Sequence, residues 1–254
     1  MPKFSALILT SLIAAGTGWS GLVSANNNSQ SPELAIKNQL KKLDTVVESV
    51  TPSAIPGIYQ VVVEGGFVLY STADGQRFLR GDLLEVQGND LVNLTEKVKN
   101  EYNVKLLQSV DPKTMIVFSP KGKTKGVVYA FTDVDCGYCR KLQGEIPELN
   151  KQGIELRYLA FPRGGRKSGA FAKMAKAWCA TDRQQALADL KAGKAISVPI
   201  KGDQNACSKM IDDHYRLGLQ LGVNGTPAMV LENGQIIPGY RPAADIARIV
   251  ESQS

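Results

Sequence analysis

The chain has 254 residues, 43% of them hydrophobic and 21% charged, with four cysteines and a formal net charge of +6. That balance excludes an intrinsically disordered chain, and the length leaves room for two domains. The basic excess is spread along the chain. Its densest patch, Arg163-Gly164-Gly165-Arg166-Lys167, has no interleaved aromatics and reads as a solvated loop, so nothing argues for a nucleic-acid partner.

Met1-Pro2-Lys3 is a short cationic head, Leu7 to Ala15 is apolar, and Val23-Ser24-Ala25 offers small residues at the spacing a signal peptidase accepts. Residues 1–25 therefore read as a secretory signal peptide cleaved near Ala25. A membrane anchor would need a longer run than one interrupted by Gly16, Thr17 and Gly18. Export points to a disulfide-permissive compartment, a bacterial periplasm in the first instance.

From Glu33 to about Val50 the apolar residues Leu34, Ile36, Leu40, Leu43, Val46, Val47 and Val50 follow helical spacing, and Pro52, Pro56 and Gly57 stop the helix. Strands are expected at Ile58 to Glu64, Phe67 to Thr72, Gln76 to Arg80 and Asp82 to Val86, joined by Gly65-Gly66 and Asp74-Gly75 turns. One helix and a small antiparallel sheet make a marginal core for residues 26–88, and dimerisation through a sheet edge would relieve it. Residues 89–109 read as a linker helix with Asn89 or Asp90 as its N-cap.

Residues 110–254 read as an α/β domain. Strands are expected at Met115 to Ser119, Gly126 to Thr132 and Ile154 to Phe161, with a hairpin at Ala228 to Glu232 and Gln235 to Ile237. Helices are expected at Cys136 to Gly153, bent or interrupted near Pro147, then at Ala170 to Ala180, Ala186 to Ala192, Lys209 to Gly222 and Ala243 to Glu251.

The informative stretch is Phe131-Thr132-Asp133-Val134-Asp135-Cys136-Gly137-Tyr138-Cys139-Arg140-Lys141. It sets a Cys-x-x-Cys pair where a strand gives way to a helix. Unpaired N–H groups and the positive end of the macrodipole favour a thiolate there, and a second thiol within reach completes the equipment for thiol–disulfide exchange without a cofactor. The competing reading is half of a zinc site. Its other half is missing, since Cys179 and Cys207 are far apart and the single histidine, His214, is near neither in sequence, so no metal is expected.

This segment resembles the active site of the DsbC/DsbG family of periplasmic protein-disulfide isomerases, and the Cys-Gly-Tyr-Cys form points to its DsbC branch. Tyr158-Leu159-Ala160-Phe161-Pro162-Arg163, Ala177-Trp178-Cys179 and Val223-Asn224-Gly225-Thr226-Pro227-Ala228 resemble further family segments, so the likeness covers essentially all of the mature chain. It implies an α+β protein: a C-terminal thioredoxin-like domain with a helical insertion, preceded by a small helix-plus-antiparallel-sheet dimerisation domain and a linker helix. It further implies Cys136 as the better exposed nucleophile, Cys139 as the buried resolving thiol, and Gly137 and Tyr138 as the dipeptide that tunes the pair. Thr226 would precede a cis-Pro227 in the loop that binds substrate backbone, although an X–Pro bond is ordinarily trans. Cys179 and Cys207 would form a structural disulfide closing the insertion, the alternative being two free buried thiols.

The implied activity is isomerisation of non-native disulfides in exported proteins, by a homodimer that also binds unfolded chains in the manner of a chaperone. A membrane-bound thiol reductant of the DsbD type would keep it reduced. The alternatives are a DsbG-like reductase protecting oxidised single cysteines, and a holdase without a redox role. Two features depart from thioredoxin-like proteins. Where many carry a buried acid on the strand before the motif, this chain has Ala130, which leaves the proton acceptor for Cys139 open between Asp133 and Asp135. His214 reads as a surface or packing residue, and Arg140 and Lys141 as solvated cations with at most a supporting role.

Overall fold

The computed structural model of the chain describes residues 30–253, so the expected signal peptide lies outside the described residues. Helix α1 (Pro32–Lys41) buries Ile36 and Leu40, one turn apart, against strands β1 (Val47–Pro52) and β2 (Ile58–Val63). The single helix expected from Glu33 to Val50 is thus corrected. Asp44 takes a left-handed φ of 51°, and the chain beyond it pairs antiparallel with β2. Leu43 and Val46, counted on the helical stripe, are 70% and 56% exposed. The β-branched run Thr45-Val46-Val47 gains more from a pleated ladder than from a fourth helical turn.

Strands β3 (Phe67–Thr72) and β4 (Phe78–Leu79) complete a four-stranded antiparallel sheet in the order β1-β2-β3-β4. Strands β5 (Leu84–Gln87) and β6 (Asp90–Asn93) form a separate hairpin turning at Gly88. Residues 89–93, expected to open the linker helix, therefore belong to β6 and its turn. Helix α2 (Leu94–Gln108) begins at Leu94, where the Asn93 side chain accepts from the backbone N–H of Glu96.

The C-terminal part is a five-stranded mixed sheet, β11-β10-β8-β9-β7. Its strands are β7 (Ile116–Phe118), β8 (Gly126–Thr132), β9 (Ile154–Ala160), β10 (Ala228–Leu231) and β11 (Ile236–Pro238). Only β8 and β9 run parallel, and helix α3 (Gly137–Lys151) makes the crossover between them. The expected interruption near Pro147 is absent: α3 runs through it, with Pro147 on the exposed side, where water can reach the carbonyl its missing N–H leaves free.

Side-chain alternation divides the sheet cleanly. Val128, Ala130, Leu156, Tyr158, Ala160 and Met229 face one core with α3, while Phe131, Leu159, Phe161 and Val230 face another with Leu217 and Leu221. Between β9 and β10 lie α4 (Gly169–Trp178), α5 (Arg183–Lys191) and α6 (Gln204–Gln220), and α7 (Ala243–Glu251) packs on α3. Helix α6 starts five residues before the expected Lys209 because Asp203 caps it, accepting from the Asn205 N–H. Helix α2 is docked on the C-terminal sheet: Asn103 Nδ2 donates to the Gly234 carbonyl at 2.9 Å, and a Cβ on Gly234 would collide with the backbone of Asn100.

Candidate active site

Strand β8 ends at Thr132 and the next three residues turn the chain into α3. Asp133 makes the turn: its carboxylate accepts from the Asp135 N–H at 2.8 Å, and its carbonyl accepts from the Cys136 N–H at 3.2 Å. The other carboxylate oxygen accepts from both the backbone N–H and Nε of Arg163, each at 3.0 Å. Asp133 is 2% exposed, so this is a buried brace between the motif and the loop after β9. Asp135 pairs with Lys173 at 2.8 Å on the surface. Both aspartates are committed to other donors, and only the Asp133 backbone N–H meets the second thiol, donating to Cys139 Sγ at 3.5 Å.

Cys136 occupies the N-cap of α3 with extended backbone angles, and its side chain caps nothing. The thiol donates instead to the Thr226 carbonyl at 3.1 Å, across the Thr226–Pro227 peptide, which is cis. The motif and the Thr226–Pro227 loop, 90 residues apart, thus meet at one sulfur. Cys136 and Cys139 are both free thiols and both covered, at 4% and 0% exposure, so the expected difference in exposure is small. Around them the surface is open: a Cβ on Gly137 would meet no atom within 4 Å, and Tyr138 is 62% exposed, its ring stacked 6.2 Å from that of Tyr240. Arg140 is exposed, and the Lys141 ammonium lies 5.1 Å from the centre of the Tyr240 ring.

The two thiols differ in acidity. Burial pushes Cys136 up, but the Thr226 side chain and the first backbone N–H groups of α3, those of Cys139 and Tyr138, outweigh it and leave the thiol below the ordinary range. Burial dominates at Cys139 and holds its thiol above that range, despite Thr132 and the cation of Lys191. The hydroxyls of Thr132 and Thr226 are buried without a hydrogen bond of ordinary geometry, and both are near enough to the sulfurs to favour ionisation.

Cys179 and Cys207 are joined, with an S–S distance of 2.11 Å and a Cα–Cα distance of 5.6 Å. The bond ties the end of α4 to the first turn of α6 and closes α5 into a loop. His214 packs under β9. Its Nδ1 accepts from the Ala160 N–H at 3.2 Å, Nε2 donates to Thr114 Oγ1 at 3.0 Å, and burial lowers it to about 4, which fits the packing role expected of it.

Three contributors escaped sequence reading: the Arg163 side of the Asp133 brace, Tyr158, and Lys191. Tyr158 is buried beside Cys139 with its hydroxyl unpaired. Lys191 ends α5 and reads in sequence as an ordinary surface lysine at a helix terminus, yet it is 3% exposed.

Residues 27–96 match the family model described as the disulfide bond isomerase protein N-terminal domain, and residues 112–254 match that of a thioredoxin-like domain. The chain is 36% identical over 244 residues to the thiol:disulfide interchange protein DsbC of Escherichia coli K12, covering 96% of this chain and 94% of that one. It is 40% identical over 209 residues to DsbC of Salmonella typhimurium, covering 82% and 83%. Among solved structures, a disulfide interchange protein from Neisseria gonorrhoeae aligns with a TM-score of 0.47 at 27% identity, over 56% of this chain and 97% of that one.

Proposed function

The chain belongs to the DsbC family of thiol:disulfide interchange proteins, and from that premise we propose how its own residues carry out disulfide isomerisation. Cys136, as thiolate, attacks a wrong disulfide in a substrate protein. One substrate sulfur becomes bonded to Cys136, and the other leaves as a thiolate that can attack elsewhere in the same substrate. Where that attack frees a third substrate sulfur as thiolate, and this one bonds to the sulfur held by Cys136, the Cys136 bond breaks, the enzyme is released reduced and the substrate is re-paired. Where the intermediate stalls, Cys139 ionises and attacks Cys136 Sγ, the intermolecular bond breaks, and the substrate leaves reduced.

The observation that carries this reading is the unequal pair at one helix N-terminus, Cys136 made more acidic than usual and Cys139 less. A nucleophile must be ionised on arrival, and a resolving thiol must wait. The Thr226 carbonyl, 3.1 Å from Cys136 Sγ, supports a role for that loop in holding substrate backbone in strand fashion.

The front of the molecule supports a homodimer. The β5–β6 hairpin exposes Leu84, Val86 and Leu91 at 47%, 74% and 63%, an apolar edge that a second copy would cover. In this reading residues 26–88 form the dimerisation domain, α2 is the arm within residues 89–109, and residues 110–254 form the catalytic domain. Two catalytic domains would then frame a cleft for unfolded chains, giving chaperone-like binding. The protein works in the periplasm after cleavage near Ala25, re-reduced by a DsbD-type membrane reductant.

The test is refolding of a scrambled multi-disulfide protein. Cys136→Ser should abolish recovery of native pairing while leaving suppression of aggregation in place. Retained isomerisation would overturn the assignment of the nucleophile.

A further inference from the structure

Among the described residues, Lys191 is the one buried cation that acts on the two thiols. A lysine is rarely enclosed without a paired carboxylate, because taking an ammonium out of water is expensive. Here no carboxylate pairs with it among the described residues. Its Nζ donates to Gln143 Oε1 of α3 at 3.1 Å and lies 3.5 Å from the centre of the Tyr158 ring. Tyr158 in turn pairs in register with Ala130, so strand β8 offers no ionisable side chain at that position. The helical insertion therefore brings a titratable nitrogen beside the place where the strand supplies none.

We propose that Lys191 is the positioning residue for the second half of the reaction: its neutral amine takes up, through an intervening water, the proton that Cys139 releases, and the resulting ammonium stabilises the Cys139 thiolate until it attacks. The balance is simple. The Cys139 S–H bond breaks and an N–H bond forms on Lys191. The thiolate then forms the Cys139–Cys136 bond as the bond from Cys136 to the substrate breaks, and the substrate sulfur departs with the electron pair. This rests on the function proposed above and adds the proton acceptor that it lacks.

The electrostatics agree. Burial lowers the amine to about 7, against the pull of Cys139 and Cys136, so both of its forms are populated near neutral pH. The Cys139 thiol is in turn lowered by Lys191. Other groups around the site do not supply the same service. Tyr158, held well above its ordinary value by burial, stays protonated. Arg163 acts on both thiols from the Asp133 side but is a permanent cation. On α3, Arg140 and Lys141 are exposed and Glu145 is held by the Tyr240 hydroxyl and the Ala243 N–H. On α4, Lys173 is paired with Asp135 and Lys176 is exposed, and β7 carries no ionisable side chain. On α5 itself, Asp189 is bonded to Ser197 and Gln185.

The experiment is stopped-flow reaction of the reduced protein with excess Ellman's reagent at a series of pH values. The first thionitrobenzoate released reports attack by Cys136, and the second reports its displacement by Cys139. For Lys191→Met the second phase should slow about tenfold at pH 7 and its midpoint should rise by about one pH unit, with the first phase changing far less. Gln143→Leu, which removes the acceptor that favours the ammonium, should move the second midpoint the same way by less. An unchanged second midpoint in both variants overturns the proposal, as does an equal slowing at every pH, which is the mark of a merely structural role. If Cys136 forms no mixed disulfide at all, the first phase is missing and the functional reading falls with it.

Discussion

Lys191→Met should make the protein more stable at neutral pH. A base whose amine falls from 10.5 when exposed to about 7 when buried binds fewer protons folded than unfolded across that interval. The penalty is therefore absent above pH 10.5, grows as pH falls towards 7, and levels off below it. At pH 7 it is worth about 4 kcal/mol, at a conversion of about 1.4 kcal/mol per pH unit. Methionine also removes the contacts to Tyr158 and Gln143, so the net gain is about 2–4 kcal/mol at pH 7, shrinking to about 1 kcal/mol at most at pH 9.5. Urea unfolding of both proteins measures it, at one protomer concentration and with the active-site pair held as a disulfide, which stops both thiols titrating and removes their upward pull on Lys191, so the gain at pH 7 is at least the figure given. A variant less stable than the parent at both pH values, or a gain that does not depend on pH, would refute the reasoning.

The buried His214 gives a slope of the same sign in acid. Its imidazole falls from 6.5 to about 4, so the unfolded state takes up the proton first and the fold should lose about 3 kcal/mol between those values. His214→Gln should remove that loss, read as a flatter dependence of the urea midpoint on pH from 6.5 to 4; parallel profiles would count against it. At the other end of the molecule, the paired change Leu84→Lys and Val86→Lys should yield a monomer by sedimentation, with the Cys136 reaction rate unchanged. A dimer that survives both substitutions would place the interface elsewhere.

Much of this architecture is visible in the order of the residues. Strand β8 and helix α7 occupy the segments their patterns indicate, Gly126 to Thr132 and Ala243 to Glu251, because each has one strong period and a clear stop. The segment from Leu43 to Val50 misleads because its apolar spacing fits a helix, whereas its β-branched residues complete a ladder whose partner, β2, lies beyond a turn. Asn89 to Asn93 misleads for a similar reason: a hairpin and a capped helix start both favour Asn and Asp. The thiols were legible because their chemistry is local to four residues. Asp133 was legible as a residue but not in its role, which depends on Arg163 thirty positions away. Lys191 was not legible at all, since a lysine at the end of a short helix is buried only when α5 is laid against α3.

The bond between Cys179 and Cys207 gives the molecule an obligation during its own maturation. One pair of sulfurs in the chain is joined while the other stands open, and all four are covered from solvent. A newly made copy must therefore give up two electrons at one pair and keep them at the other. The closed pair also fences in the helix that ends with Lys191, so a repairer of other proteins' cross-links is finished only after one of its own has been made.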